Sequence, residues 1–131
     1  RVRGPLLLDT LISLWALVDS PRLPAEARLL ILTPENEVVV SAASVWEIAI
    51  KHGLAKKNMP VSGAEAKSWF TRAGYTLLPV TADHAALVEE LPPHHADPFD
   101  RILVAQALDE PMRLVTHDPT VARYSDTVIL V

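Results

Sequence analysis

Cysteine is absent from the 131 residues of this sequence. Its absence excludes disulfides, cysteine-ligated zinc and thiol nucleophiles, and it is typical of the reducing cytoplasm, where we expect the protein to reside. Long hydrophobic runs are also missing, since the stretch from Leu11 to Val18 is short and is interrupted by Ser13. A bilayer-spanning helix needs roughly 18 consecutive apolar residues, so we expect neither a membrane segment nor a signal peptide.

An excess of positive charge is missing as well. The formal net charge is −4, whereas a protein that binds nucleic acid through a broad basic face is normally positive. Any nucleic acid must therefore be held locally, through a metal ion or with the help of a partner. Half of the residues are hydrophobic, which is enough to build a core, and the length suits one domain over residues 1–131.

Apolar and β-branched runs alternate with segments of helical periodicity along the chain. The runs predict strands over residues 5–9, 37–41, 76–80, 112–116 and 127–131. The periodic segments predict helices over residues 10–19, 25–32, 42–52, 63–73, 81–91 and 97–109, and a helical turn over 118–124. Gly53 and Gly74 are predicted to end helices, and Pro79 indicates an edge strand. The alternation predicts an α/β fold with a mostly parallel sheet of four to five strands, flanked by helices on both faces.

Three of four candidate acidic residues leave predicted strands at the same edge of the sheet, and the fourth can reach that edge if its helix packs across it. Asp9 ends the first strand, and Asp118 comes two residues after the apolar part of the fourth strand. Glu47 lies on the second turn of the third predicted helix, and Asp100 lies in the first turn of the sixth. Ligand sites of open α/β sheets form at the carboxyl ends of the strands. We therefore predict that these four acids share one site.

Carboxylates gathered in one place repel one another, and they stay ionised together only if a cation neutralises them. Oxygen ligands without cysteine select hard cations, so Mg²⁺ or Mn²⁺ is expected. Such a metal lowers the pKa of a bound water and polarises a phosphate group. This chemistry hydrolyses phosphodiester bonds, and it requires no nucleophile from the protein.

A purely structural role for the same acids is also open. Aspartate is a favoured helix N-cap worth about 1 kcal/mol, and three aspartates precede predicted helices: Asp9, Asp97 and Asp118. Ser44 and Glu47 match the spacing of a capping box, and Glu47 can pair with Lys51 one helical turn later. The residue pattern alone does not decide between capping and a shared metal site.

Five segments of the chain form a more specific sequence pattern than the acids alone. They occur in the order LLLDT (6–10), VSAASVWEIAIK (40–51), LLPVT (77–81), LPPHHADPFDRILVAQA (91–107) and LVTHD (114–118). In these segments the sequence resembles the PIN-domain ribonucleases, and within them the toxins of VapBC-type toxin–antitoxin pairs. The resemblance extends over nearly the whole chain. One departure is Leu11-Ile12 after Thr10, where many relatives have histidine or asparagine followed by a small residue.

The resemblance implies a single PIN domain with three layers and a Mg²⁺- or Mn²⁺-dependent endoribonuclease activity, in which a metal-activated water cleaves RNA. It also implies a homodimer and a cognate antitoxin protein that inhibits the enzyme. The residues that it places in the metal-binding and catalytic site are Asp9, Glu47, Asp100 and Asp118. The residues that it places in supporting positions are Thr116, Asp97 and Thr10, with Asp97 read first as an N-cap.

Several basic residues are candidates to contact RNA phosphates. Arg101 and Lys51 are the foremost, and Lys56 and Lys57 follow, although solvated surface charge is the alternative for each. Zinc is a poor fit to the histidines, because adjacent histidines in a proline-rich loop lack the fixed spacing of a zinc hydrolase. We interpret the loop residues His94 and His95, together with His117, as possible RNA contacts.

Two other functions fit parts of the pattern. In the first, the chain is a catalytically silent PIN-like module that binds a protein partner, and the acids serve only as helix caps. In the second, it is a phosphatase-like or receiver-like α/β protein. The second is disfavoured because Asp9 is followed by Thr10-Leu11 rather than by a nearby second acid. A metal titration separates the first from the ribonuclease.

Overall fold

A computed structural model describes residues 4–54 and 59–131. Its strands are β1 (Leu6–Leu8), β2 (Val38–Ser41), β3 (Thr76–Leu78), β4 (Arg113–Thr116) and β5 (Ile129–Leu130). Its α-helices are α1 (Thr10–Leu17), α2 (Ala25–Leu32), α3 (Ala42–Leu54), α4 (Gly63–Arg72), α5 (Ala82–Leu87), α6 (Pro98–Asp109) and α7 (Pro119–Ala122). No helix in these residues has both the length and the hydrophobicity needed to cross a membrane.

The five strands form one sheet in the order β3-β2-β1-β4-β5, and every neighbouring pair is parallel. Parallel strands need a crossover between them, and the helices supply these connections. The predicted parallel α/β architecture is therefore confirmed, and the sheet has five strands, where four to five were predicted. The short strand β3 lies at an edge of the sheet, as Pro79 indicated.

Successive residues of β1 face opposite sides of the sheet. Leu6 and Leu8 pack into a core that also contains Ile48 of α3 and Phe70 of α4. Leu7 packs into a second core on the other face with residues of α6. A strand buried on both faces reads as a continuous apolar run, which explains why β1 and β2 show no polar alternation. The result is a three-layer structure with helices on both sides.

The chain reverses direction across the sheet beside β1. From β1 it moves outward through β2 to β3, and it then returns to place β4 on the other side of β1. Crossovers that leave in opposite directions open a crevice at the carboxyl ends of the two central strands. This crevice lies between the ends of β1 and β4, where Asp9 and Asp118 follow their strands.

Two helix signals were misread from the sequence. Helix α3 continues through Gly53 to Leu54, because Gly53 keeps a negative φ, while Gly74 ends α4 at φ +84° as expected. The capping box at Ser44 is wrong, since α3 begins earlier, at Ala42, directly after β2. The Ser44 hydroxyl instead forms a buried hydrogen bond of 2.8 Å with the Thr10 hydroxyl.

Two predicted elements are shorter in the structure than in the sequence prediction. The helix expected over 81–91 ends at Leu87 and continues as a 3₁₀ turn over Val88–Glu90, whose Val88 carbonyl accepts a hydrogen bond from Arg101. The strand expected over 127–131 retains only the two residues of β5. The polar loop expected over 55–60 falls mostly outside the described residues, since 55–58 are not described.

Candidate metal centre

A cavity of about 450 Å³ opens at the crevice between β1 and β4. The four predicted acids all line it, so residues far apart in the sequence meet there as expected. The acidic residues of its wall are Asp9, Glu47, Asp97, Asp100 and Asp118, and the other polar residues are Thr10, Lys51 and His117. Five carboxylates around one cavity form a strongly negative site.

Asp9 is held by the end of β1 and the start of α1. Its Oδ1 accepts a hydrogen bond of 2.8 Å from the Ile12 N–H, which makes it the N-cap of α1. Its Oδ2 accepts a hydrogen bond of 2.6 Å from the Thr116 hydroxyl on β4. Burial raises the pKa of Asp9 despite these hydrogen bonds, and a nearby positive charge would favour its ionised form.

Glu47 projects into the cavity from the second turn of α3. Its side chain is almost fully buried, and its Oε2 accepts a hydrogen bond of 2.6 Å from Lys51 Nζ. The other oxygen, Oε1, is buried and has no hydrogen-bond partner among the described residues. A buried carboxylate oxygen without a partner costs free energy, and a bound cation would remove that cost.

Asp100 lies in the first turn of α6, beside the N-cap residue Asp97. Burial, together with repulsion from Asp97, raises the pKa of Asp100 to about 7. The nearby His95 ring opposes this rise without cancelling it. Asp100 is therefore only about half ionised at neutral pH, and a cation in the cavity would favour its ionised form.

Asp118 follows β4 and caps the short helix α7. Its Oδ1 accepts from the Thr120 N–H at 2.8 Å, and its Oδ2 lies 2.9 Å from His95 Nε2. Partial burial raises the pKa of Asp118, but the hydrogen bonds from Thr120 and His95 outweigh it and hold the pKa below its usual value. Asp118 is thus ionised without help from a metal.

Two predicted supporting residues connect the acids to the sheet and to α3. The buried Thr116 hydroxyl donates to Asp9 and accepts from the Asp118 N–H at 3.1 Å, so it links the two strand ends. Thr10 lines the cavity, and its hydroxyl pairs with that of Ser44, which ties α1 to α3. Both contacts hold the backbone around Asp9 in place.

Capping and site formation are not alternatives in this structure. Asp9, Asp97 and Asp118 each accept a hydrogen bond from a backbone N–H at the start of a helix, and each also lines the cavity. A carboxylate offers about four lone-pair positions, so one capping bond leaves others free. The predicted pair between Glu47 and Lys51 is also present.

Of the two foremost candidates for phosphate contact, Lys51 lines the cavity and Arg101 does not. Lys51 lines the cavity, and its hydrogen bond to Glu47 raises its pKa, which keeps it positively charged. Arg101 does not line the cavity, because its guanidinium donates to the carbonyls of Pro92 and Val88 and to the Tyr124 hydroxyl. The candidates Lys56 and Lys57 lie outside the described residues.

The histidine loop contributes a residue whose position the sequence did not reveal. His95 Nε2 lies between Asp118 and Asp100, at 2.9 and 3.2 Å from their Oδ2 atoms. His94 instead packs edge-on against the ring of Tyr124. The sequence places His95 beside His94 in a proline-rich loop, two residues before the N-cap Asp97, but it does not indicate which way the ring turns.

The donor set fits a hard divalent cation. Asp9, Glu47 and Asp100 supply carboxylate oxygens, the ligands that Mg²⁺ and Mn²⁺ prefer. Two of these groups have a raised pKa, and the third has the unpartnered Oε1, so all three are destabilised in the absence of a positive charge. A divalent ion between them would relieve these costs.

Known structures resemble this fold along almost the whole chain. A VapBC2 complex from Rickettsia felis, bound to a promoter DNA fragment, shares 18% identity at a TM-score of 0.66, and the match covers 96% of each chain. FitAcB from Neisseria gonorrhoeae shares 19% sequence identity at a TM-score of 0.62, again over 96% of each chain. A toxin–antitoxin complex from Klebsiella pneumoniae shares 18% sequence identity at a TM-score of 0.65, and the match covers 95% of each chain. A search of curated proteins finds no match.

A family model gives the decisive comparison. The model of the PIN domain matches residues 6–126, from the first residue of β1 to a point shortly before β5. The matched region includes every acid that lines the cavity. The parallel sheet, the crevice beside β1 and the matched sequence agree, and the chain belongs to the PIN-domain family.

Proposed function

We propose that this protein is a Mg²⁺- or Mn²⁺-dependent endoribonuclease that cleaves RNA phosphodiester bonds and acts as the toxin of a toxin–antitoxin pair. Its family is one of nucleases. The observation that carries the proposal is the set of carboxylates at one crevice, which includes the buried and unpartnered Glu47 Oε1. Helix capping accounts for three aspartates but not for this glutamate.

The carboxylates hold the metal, either directly or through water. When bound, the metal supplies a water of lowered pKa and polarises the phosphate, which is the chemistry of phosphodiester hydrolysis. Asp9, Glu47 and Asp100 come from three different elements, and their placement is rigid because each is anchored at a helix start or within a helix. Thr116 and Thr10 are positioning residues in this proposal.

Lys51 is the protein's own contact to the RNA in this proposal. It lines the cavity and keeps its charge, and it reaches the wall from α3, one turn after Glu47. Arg101 does not line the cavity, and its Nη1 and Nη2 atoms donate to backbone carbonyls and to Tyr124. We therefore assign Arg101 to positioning the loop before α6 rather than to substrate binding.

The partners in this proposal are an antitoxin and a second copy of the chain. The similar structures include a VapBC2 complex and a complex described as toxin–antitoxin, which supports an inhibitory antitoxin here. The resemblance to VapBC-type toxins supports a homodimer. The RNA substrate follows from the same resemblance and from the metal site.

The experiment is incubation of the purified protein with total RNA in Mg²⁺ or Mn²⁺, with sequencing of the cleaved ends. We expect discrete cleavage that EDTA abolishes and that Asp9→Asn reduces by at least about 100-fold, since a metal ligand is lost. Asp126→Asn is the matched control, because Asp126 is exposed and lies away from the cavity.

Two outcomes would contradict the proposal. Cleavage that survives in Asp9→Asn would separate the activity from the acids. Absence of both cleavage and any millimolar Mg²⁺ or Mn²⁺ site would instead support the silent protein-binding module, in which the acids act as caps.

A further inference from the structure

The imidazole of His95 occupies the space between two of the site's carboxylates. Its Nε2 lies 2.9 Å from Asp118 Oδ2 and 3.2 Å from Asp100 Oδ2. One donor atom from each of these three residues falls within 4.8 Å of the others, a spacing that would also suit a metal ion. The ring therefore stands where a cation could bridge Asp100 and Asp118.

The hydrogen bond at the other ring nitrogen, Nδ1, decides whether Nε2 carries a proton. The Asp97 N–H donates to His95 Nδ1 at 3.0 Å, so Nδ1 acts as an acceptor. A ring whose Nδ1 accepts carries its proton on Nε2. Nε2 therefore donates to Asp118, lies 3.2 Å from Asp100 Oδ2 and has no lone pair to offer a metal.

The position of His95 is built by groups outside the acidic cluster. The Tyr124 hydroxyl accepts from the His95 N–H at 2.9 Å and from Arg101 Nη1 at 3.0 Å. The same Arg101 guanidinium also donates to the carbonyls of Pro92 and Val88, at the base of the loop. The loop is thus held against the cavity by contacts beyond those of His95 with the carboxylates.

The rest of the cavity offers a different cation position. Asp118 has one oxygen on the Thr120 N–H and the other on His95, whereas Glu47 Oε1 has no partner in the described part of the chain. Asp9 lies with Glu47 and Asp100 in the cavity wall. Among the described carboxylates that line the cavity, the buried oxygen without a partner is thus Glu47 Oε1, and a cation beside it would supply the missing contact.

We propose that the site binds a single divalent ion at Asp9, Glu47 and Asp100, and that the His95 Nε2–H takes the place of a second ion between Asp100 and Asp118. This inference rests on the metal site of the proposed function. His95 is a positioning residue in this proposal, since it acts through two carboxylates and limits the number of metals that the site admits.

The test is calorimetric titration of the metal-free protein with Mn²⁺, with the stoichiometry expressed per chain. We expect one ion for the wild type and two for His95→Ala, where loss of the ring opens the second position. His95→Gln should retain one ion, because a glutamine amide can place an N–H donor near the position of Nε2. Circular dichroism of each variant verifies folding.

Two further variants separate this role from a general effect of the loop. Tyr124→Phe removes the hydroxyl that holds His95 and leaves every acid in place, so we expect a second, weaker ion at high Mn²⁺. His94→Ala removes the neighbouring imidazole, whose contact is with the Tyr124 ring, and we expect its stoichiometry to stay at one.

The remaining outcomes overturn the inference in distinguishable ways. Two ions in the wild type and one in His95→Ala would make His95 a metal ligand. Equal stoichiometry in both proteins would show that His95 does not set the metal number, while the proposed function would stand. No Mn²⁺ binding by any of the folded proteins would remove the metal site itself, and the proposed function with it.

Discussion

At the scale of single residues, Asp100 couples the metal site to stability. Burial and the neighbouring Asp97 raise its pKa to about 7, well above the value of 3.8 that describes the unfolded chain. The folded state therefore prefers the protonated form. As the pH rises from about 4 to about 7, the unfolded state ionises first, and stability falls until the folded pKa is passed.

We predict that Asp100→Asn stabilises the metal-free protein at pH 8. The neutral amide avoids the cost of a buried charge, which we put at about 1–2 kcal/mol after allowing for partial solvent screening. The Tm in EDTA should rise by roughly 3–8 °C, as measured by calorimetry. The difference should vanish below about pH 3, where Asp100 is protonated in both the folded and the unfolded state.

Adding Mg²⁺ at pH 8 reverses the order of the two proteins. The ion binds the ionised wild-type site and stabilises it by mass action, whereas the Asp100→Asn variant lacks one ligand. Equal Tm values for wild type and variant in EDTA across this pH range would refute the assignment of a raised pKa to Asp100.

Thr116 is a second residue whose removal should have two separate effects. Its hydroxyl donates to Oδ2 of buried Asp9 and accepts from the Asp118 N–H, so Thr116→Val removes a donor from Asp9 and the acceptor from the Asp118 N–H. We expect the free energy of unfolding to fall by about 1–3 kcal/mol in urea titrations. We also expect Mn²⁺ affinity to weaken by roughly tenfold in calorimetry, since Asp9 loses its orienting donor.

Two control variants bracket the Thr116 prediction. Thr116→Ser keeps the hydroxyl and should restore most of the Mn²⁺ affinity. Thr71→Val removes an exposed hydroxyl that donates to the Lys67 carbonyl on α4, and its effect should be small. If Thr116→Val binds Mn²⁺ as tightly as Thr71→Val does, Thr116 does not position Asp9.

At the scale of elements, the contact between α3 and α4 holds the helix that carries Glu47. Gly63 begins α4, and a Cβ at this position would lie 2.8 Å from Ala49 Cβ and 3.4 Å from the Val45 carbonyl oxygen. Both neighbours are on α3, and one of them is backbone. The close approach of the two helices therefore requires glycine at position 63.

We predict opposite effects of alanine at the two glycines of these helices. Gly63→Ala should destabilise the protein by about 1–3 kcal/mol, because α3 and α4 must move apart. Gly53→Ala should stabilise it by about 0.5–1 kcal/mol, because Gly53 is helical and its Cβ would meet no described atom within 4 Å. Chemical denaturation of both variants tests the pair, and equal effects would contradict the helix packing.

At the scale of the whole molecule, the negative charge limits how RNA can bind. The net charge is −4, and among the described residues that line the cavity Lys51 is the only lysine or arginine. A protein with so few local cations cannot neutralise many phosphates on its own. In the proposed function, a bound metal would therefore supply much of the attraction.

We predict that binding of a hydrolysis-resistant phosphorothioate RNA is weak in EDTA and at least about tenfold tighter in Mg²⁺, as measured by fluorescence anisotropy. The salt dependence in EDTA should be shallow, with a slope of about −1 to −2 in a log–log plot, which corresponds to one to three phosphate contacts on a single strand. Tight binding in EDTA with a steep slope would instead indicate a basic surface elsewhere.

The sequence by itself determined the elements and the acids. Hydrophobic periodicity is a local property, so the alternation of strands and helices followed from it, as did the parallel sheet. The N-caps Asp9, Asp97 and Asp118 were recognisable because each directly precedes a helix. The resemblance to PIN domains then selected Asp100 as the third acid.

Only the tertiary structure decided how the site is completed. Arg101 donates to the Tyr124 hydroxyl, and His95 reaches Asp118, across 23 positions of the sequence in each case. Ser44 does not cap a helix, and its hydroxyl instead forms a hydrogen bond with the hydroxyl of Thr10, 34 residues away. Such contacts depend on which loop and helix ends meet in space. Hydrophobic periodicity records which face of an element is buried, but it does not record which polar groups meet at the element's ends.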